Sequence, residues 1–256
     1  FTDTTNYINL GYWQPNTKTL DQACEALAHL MGEAASLKAE DRVLDVGFGF
    51  GEQEFYWMKT FAPKSITGIN ISDFQIKKAK ETLANSAYGQ RISFEKGDAL
   101  NIQYEDNSFD VVFGLESVMH FPNRDQFFKE ALRVLKPGGR LVLADIAGIG
   151  GKLSLSDHIQ QWMLGAFWQM PKQNLYDKET YTKKLTDIGF SKVDCRSIGD
   201  NVYPPFIAYL EKQTSNAVYM SKFNFAYRVL SKIASKVVSS VERVPFDYLL
   251  VQATKI

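Results

Sequence analysis

An α/β fold, with a mostly parallel sheet covered by helices on both faces, is predicted by three observations. Apolar runs of strand length alternate with helical-period segments from residue 42 to residue 198. The first run closes on a glycine turn, Val43-Leu44-Asp45-Val46-Gly47-Phe48-Gly49-Phe50-Gly51. At 256 residues, 45% apolar and 13% aromatic, the chain has the composition for one substantial core, and a single domain over 1–256 is expected.

The elements follow in order. After a polar opening, Leu20, Ala23, Leu27, Leu30 and Met31 fall at helical spacing within 19–37, and the first strand is predicted at 42–46. A helix at 52–61 leads to a strand at 65–71, a helix at 73–86 and a strand at 91–96. A strand at 109–114, a helix at 124–135 and a strand at 139–145 come next, and Lys136-Pro137-Gly138-Gly139 carries proline and glycine where a helix should stop. A helix at 177–187, a strand at 191–198 and a last strand from Tyr248 to Thr254 complete the series.

Two stretches exceed the roughly 2–6 residues that such connections need, so both are expected to serve the substrate side. The first, 146–172, contains Trp162, Phe167 and Trp168. The second, 199–245, carries Phe223, Phe225, Val229, Leu230 and Ile233 with Lys222, Arg228, Lys232 and Lys236 between them.

Bulk charge excludes some partners. Lysine plus arginine equal aspartate plus glutamate at 29 each, so no global field draws the chain to nucleic acid. Cys24 and Cys195 have no metal-ligand spacing and suggest no disulfide framework; no metal and a reducing, cytoplasmic compartment are expected. There is no apolar run of about 18 residues to span a bilayer and no leader pattern after Phe1. Without an initial Met, a trimmed N-terminus is expected.

The glycine turn narrows the ligand. Glycine admits positive φ and lets a ligand approach the backbone, and a strand-to-helix turn at a sheet's C-terminal edge is where open α/β folds bind. A dinucleotide fingerprint reads G-x-G-x-x-G and seats a pyrophosphate. Here the glycines are Gly47, Gly49 and Gly51, preceded by Asp45, whose charge opposes a phosphate and favours an ammonium and a sulfonium. S-adenosyl-L-methionine (SAM) has both.

Three further motifs stand in order after the turn: Thr67-Gly68-Ile69-Asn70-Ile71-Ser72, Lys96-Gly97-Asp98-Ala99 and Leu132-Arg133-Val134-Leu135-Lys136-Pro137-Gly138-Gly139. With them the chain resembles class I SAM-dependent methyltransferases over roughly residues 40 to 145 plus the last strand. Asn9-Leu10-Gly11-Tyr12-Trp13, Leu115-Glu116-Ser117 and His120-Phe121-Pro122 resemble the small-molecule branch, which includes sterol and tocopherol C-methyltransferases and phthiotriol-type and glycoside O-methyltransferases. The resemblance implies a Rossmann-like seven-stranded sheet, its last strand antiparallel, with helical lid insertions and an N-terminal helical lid over 1–40.

It also implies site residues. Asp98 would accept from the adenine amino group and Ala99 would offer its N–H to the ring. Asn70 departs from the acid that most relatives use for the ribose hydroxyls, since an amide has one good acceptor and an NH2 donor. Gln75 has two readings: a contact to the ribose, or the far half of a Ser72-x-x-Gln75 capping box. Tyr12, and Tyr7 beside it, would fold an aromatic face over the sulfonium. Glu116 would reach the cofactor's amino group or the substrate.

A hydroxyl or amine acceptor has a proton to lose, and a base with pKa near ambient pH takes it efficiently. His120 is the candidate base, with Asp145, at the end of the neighbouring strand, expected to orient it or stabilise its charge. His158 reads as lid surface and His29 as structural. The aromatic residues Trp162, Phe167, Trp168, Tyr203 and Phe206 suit an apolar acceptor or ordinary core equally. The 220–241 stretch reads as a lid helix or as a peripheral membrane contact. The expected function is O-methylation of a hydrophobic polyketide, lipid or isoprenoid-like product. C-methylation of a sterol or isoprenoid alkene, and a non-catalytic SAM-binding module, are the alternatives.

Overall fold

The computed structural model describes residues 2, 4–151, 154–216, 220–221 and 244–256. Among them seven strands form one sheet: β1 (Arg42–Val46), β2 (Ser65–Asn70), β3 (Ile92–Lys96), β4 (Phe109–Leu115), β5 (Leu135–Gly148), β6 (Phe190–Ser197) and β7 (Phe246–Lys255). Their spatial order is β3-β2-β1-β4-β5-β7-β6. β1 pairs in parallel with β2 on one side and β4 on the other, while β7 runs antiparallel between β5 and β6. The Rossmann-like, mostly parallel sheet with an antiparallel last strand is therefore as expected.

Side chains alternate across each strand, and the alternation sorts them into two cores. Val43, Phe113 and Val142 point to the layer of α1 (Leu20–Ala34), α2 (Glu52–Thr60) and α3 (Asp73–Ala84). Leu44, Val112 and Leu143 point to the layer of α4 (Arg124–Val134) and α6 (Lys178–Ile188). In the first core the buried Trp57 ring stacks on Phe113 at 4.2 Å between centroids and donates its indole N–H to the Ala28 carbonyl at 2.7 Å. Helix starts carry the side-chain caps that their sequences offer: Thr19, Ser72, Asn123 and Asp177 each accept a backbone N–H of the first turn.

One boundary differs from expectation. Helix α4 stops at Val134, before Lys136-Pro137-Gly138-Gly139, and β5 begins at Leu135 rather than 139. Leu135 already pairs with Phe109, and the register resumes only at Arg140 opposite Val111, so the proline and glycines form an irregularity inside the strand. At its other end β5 runs on to Gly148, because β7 pairs with it from Arg140 opposite Thr254 to Gly148 opposite Phe246.

The first long connection holds α5 (Leu155–Phe167), opened by a capping box between Ser154 and Asp157. The second holds α7 (Tyr203–Ser215), whose first turn carries prolines that its missing donors tolerate. Residues 222–241 of the stretch read as a lid helix or membrane contact lie outside the described residues.

Candidate functional site

The strand order reverses direction at β1, with β2 on one flank and β4 on the other. Open α/β sheets bind ligands at the strands' C-terminal ends beside such a switch point. The segments that leave these ends are the glycine turn after β1, Asn70 at the end of β2, Gly97-Asp98-Ala99 after β3 and Glu116 to His120 after β4. They enclose a cavity of about 410 Å³ that also takes in Gln75, Phe121 and Pro122. A smaller one of about 100 Å³ adjoins it beneath Tyr7 and Asn9. Ile8, Gly47, Gly49, Glu116 and His120 wall both.

The glycines divide the work of the turn. Gly47 and Gly49 have φ of 74° and 57°. A Cβ on Gly47 would sit 2.4 Å from the Ser117 Cβ, so that glycine lets β1 and the segment after β4 approach. A Cβ on Gly49 would meet only Ile8, at 3.2 Å, so Gly49 is the point of closest backbone approach for a ligand.

Asp45 does not line either cavity. Alternation sends its side chain to the first core, where Gln53 Nε2 donates to Oδ2 at 2.9 Å and also to the Phe48 carbonyl, pinning the turn from below. Fully buried Glu54 lies beside it, and neither Glu54 oxygen nor Asp45 Oδ1 has a hydrogen-bond partner. Burial, opposed by the Gln53 bond, pushes Asp45 up to about 6; burial and then the charge of Asp45 push Glu54 well above its ordinary value. Two such acids hold a proton between them.

At the end of β2 the amides pair. Asn70 Oδ1 accepts the Ser72 N–H at 3.0 Å, and Asn70 Nδ2 donates to Gln75 Oε1 at 2.9 Å. The Ser72 hydroxyl caps the helix by accepting the Gln75 N–H, but the Gln75 side chain turns to Asn70, so the reciprocal half of the capping box is not made. Asp98 Oδ1 accepts the Leu100 N–H at 2.8 Å, which fixes the carboxyl at the cavity rim with Ala99 buried behind it. Apolar Ile69, Ile71 and Leu100 between these polar atoms leave a wall suited to a purine, and the lining fits a nucleoside ligand.

Glu116 has φ of 46°, a left-handed conformation that a non-glycine residue seldom adopts. Its Oε1 accepts the Leu10 N–H at 2.8 Å and the Tyr248 hydroxyl at 2.6 Å. Burial pushes it up to about 7 against those two bonds. The N-terminal segment is thereby latched over the site, and a second latch runs from Asn6 to Glu52. Within this segment Tyr7 and Ile8 line the smaller cavity, whereas Tyr12 packs on the first core and faces neither. Of the two tyrosines, Tyr7 is the one at a cavity wall.

His120 ends a single 3-10 turn, Val118–His120, and is exposed where the two cavities meet. Burial of its inner edge lowers its pKa, opposed by the Asp145 charge and the Trp168 and Gln169 backbone. Asp145 does not hydrogen-bond it. On β5 Asp145 faces the second core with Leu143 and Ala147, where Arg124 Nη2 lies 3.2 Å from Oδ2, Tyr181 donates to Oδ2 at 2.8 Å and Ile146 N–H takes Oδ1. The expected contact between Asp145 and His120 is not made: Asp145 pairs with Arg124, both members at most 1% exposed, and acts on the imidazole through its charge alone.

A third cavity, about 850 Å³, opens between the ends of β5, β6 and β7. Both long connections contribute to it, through Ile149 and through Tyr203, Pro204 and Ile207, with Asp177 and Asp247 at its edge. Of the aromatic residues singled out, Tyr203 walls this cavity, Trp168 packs on Phe246, Phe206 joins the packing around Trp13, and Trp162 is 58% exposed.

A switch-point cavity with a glycine turn, paired amides at the end of β2 and an acid beyond β3 defines an α/β enzyme that binds a nucleoside cofactor. Comparison with known proteins makes this specific. Residues 44–143 match a family described as a methyltransferase domain. Erythromycin 3''-O-methyltransferase of Saccharopolyspora erythraea is 33% identical over 97% of this chain and 83% of its own length. Among solved structures, the (4+2) cyclase SpnF superposes with a TM-score of 0.76 at 24% identity, covering 97% of this chain and 88% of that one. Phosphoethanolamine N-methyltransferase 2 of Haemonchus contortus in complex with S-adenosyl-L-methionine gives 0.77 at 20% identity, over 90% of this chain and 52% of that one. The chain belongs to the class I SAM-dependent small-molecule methyltransferases, and SAM is its cofactor. That one neighbour is a cyclase by name marks how little the fold alone says about the reaction.

Proposed function

We propose that this enzyme methylates a hydroxyl oxygen of an apolar small molecule, with His120 as the base. The supporting observation is that His120 lines both cavities, where burial holds its pKa below the ordinary value and so favours the neutral imidazole that a base needs. SAM supplies an electrophilic methyl on a sulfonium. The residues that would hold it are Gly49 by its backbone, Asn70 and Gln75 at the ribose, Asp98 and Ala99 at the adenine and Tyr7 over the methionine end. His120 would take the acceptor hydroxyl's proton as that oxygen takes the methyl group, whose bond to sulfur would break and leave its electron pair on a neutral thioether. Most of the acceleration comes from holding both reactants in line behind the N-terminal latch.

The large cavity between the long connections offers Ile149, Tyr203, Ile207 and Phe246 as apolar contacts for the rest of the acceptor, within a lining that also carries Asp177, Glu179, Asp200 and Asp247. A natural-product O-methyltransferase as a relative along nearly the whole chain supports oxygen as the target.

Incubation with methyl-labelled SAM and panels of hydroxylated and alkene acceptors, followed by product mapping, tests this. Label on oxygen supports the reading. Label on carbon overturns it in favour of C-methylation, and no turnover on any panel favours a binding module. His120→Ala should keep SAM affinity and lose roughly 10²–10⁴-fold in turnover; wild-type turnover would remove His120 from the mechanism.

A further inference from the structure

Residues 118–120 make only one 3-10 turn, a conformation with poor hydrogen-bond geometry of its own. Phe121 is already extended. A side chain that must meet a reacting atom needs such a turn to be held from outside, and a second short turn, Lys172–Asn174, lies against it. Asn174 is 1% exposed. Its Nδ2 donates to the Met119 carbonyl at 3.1 Å and to the Phe121 carbonyl at 2.8 Å, the two carbonyls that flank His120. An amide nitrogen has two hydrogens, so both are spent on this one loop. Next to it Gln173 Nε2 donates to the Pro122 carbonyl at 2.6 Å.

Asn174 is itself held. Arg124 Nη1 donates to its backbone carbonyl at 3.1 Å, while Nη2 reaches the Ile146 carbonyl at 3.0 Å and Asp145 at 3.2 Å. The guanidinium lies 5.0 Å and 5.1 Å from the Tyr176 and Tyr181 ring centroids. Planar, charged and boxed in by aromatic rings, this group is a rigid anchor.

We propose that Asn174 is a positioning residue that fixes the His120 turn at the cofactor cavity by bonding the carbonyls on both sides of it. Asp145 then acts at three removes, through Arg124, the Asn174 backbone and the loop. The catalytic consequence rests on the reading of His120 as the base; the positional claim does not.

Asn174→Leu removes both donors at similar volume, and Gln252→Leu serves as control, since it deletes a side-chain bond to the Ala34 carbonyl that has no part in holding the loop. Hydrogen exchange on the full chain with saturating SAM should be roughly 10-fold or more faster across 118–121 in Asn174→Leu, with β1 and β4 unchanged. Gln252→Leu should leave 118–121 at the wild-type rate. The 13C resonance of the His120 ring, one of three histidines, should shift in the first variant alone. On any acceptor that the wild type methylates, Asn174→Leu should lose roughly 10- to 100-fold in kcat with SAM affinity within about twofold. If Asn174→Leu does not fold, Asn174→Ser replaces it with the same expectations. Wild-type exchange across 118–121 in a folded variant overturns the proposal, as does acceleration spread equally over the sheet. Should His120→Ala prove fully active, the base reading falls while the exchange data still decide the position of the turn.

Discussion

Glu116 accepts the Leu10 N–H at 2.8 Å, tying the residue after β4 to the N-terminal segment, 106 positions earlier in the chain. The same oxygen takes the Tyr248 hydroxyl from β7, so one carboxylate joins the latch, the cofactor cavity and the far side of the sheet.

That junction has a pH signature. Glu116 titrates at about 7 when folded against an ordinary 4.5, so the folded state holds the proton more tightly than the unfolded chain. Its contribution is complete below 4.5 and is lost as pH rises through about 7. Glu116→Gln keeps an acceptor for Leu10 and cannot ionise. Between about pH 5 and about pH 8 the wild-type melting temperature should fall by roughly 3–8 °C more than that of the variant. Parallel melting curves would show that ionising Glu116 costs nothing.

Asp45 and Glu54 should behave in the same sense, because Asp45 is raised to about 6 and Glu54 is raised with it. Glu54→Gln places an NH2 donor beside Asp45 Oδ1, which takes none from the other described residues. As pH rises through about 6 and Asp45 ionises beside Glu54, the variant should come to melt higher than the wild type by roughly 2–4 °C, a gain of about 1 kcal/mol. Near pH 5 the difference should vanish. A variant that melts lower at both pH values would mean that the Glu54 carboxylate is needed as such.

Gly49 carries the prediction for the turn. Its φ of 57° strains any branched residue, and a side chain there would enter the space that only Ile8 now borders. With SAM at about 100 times its dissociation constant the wild type should gain about 2.7 kcal/mol of stability. Gly49→Val should gain none of it in a thermal-shift assay while remaining folded, and full stabilisation of the variant would move the cofactor away from the turn.

The parts of this molecule that the sequence displays are those where one residue type has one use. The glycine turn, the cap at Ser72 and the strand-length runs of β1 and β2 are local, and the structure keeps them. The orientation of Asp145 is hidden for the same local reason: its position at a strand end suggests the site, but the strand's period turns its side chain to the second core and Arg124, leaving only its charge to act on His120. Nothing within a few residues of either announces that pair. Asn174 was equally hidden, since its partners lie more than 50 positions away. In the Lys136-Pro137-Gly138-Gly139 stretch the breakers interrupt a strand rather than end a helix, a distinction made only by pairing with Phe109 and Val111. The N-terminal latch depends on Glu52 and Glu116 meeting backbone N–H groups, and backbone donors leave no trace in a sequence.

Asn70 gives a prediction opposite in sign to most substitutions at a binding site. Its Oδ1 is occupied by the Ser72 N–H and its Nδ2 by Gln75, so a ribose hydroxyl arriving there finds one remaining lone pair on a neutral oxygen. Asn70→Asp would keep the Ser72 bond on one oxygen and present a second, charged one. Gln75 can accommodate it, because rotating its amide about the last torsion exchanges the oxygen that now accepts for an NH2 that donates. Charge-assisted bonds exceed neutral ones by about 1 kcal/mol, so affinity for SAM or its demethylated product should rise roughly fivefold by calorimetry. Gln75→Leu in the same background should cancel the gain, since the new carboxylate would then lose its donor and face desolvation unaided. Weaker binding by Asn70→Asp alone would place the ribose somewhere other than the end of β2.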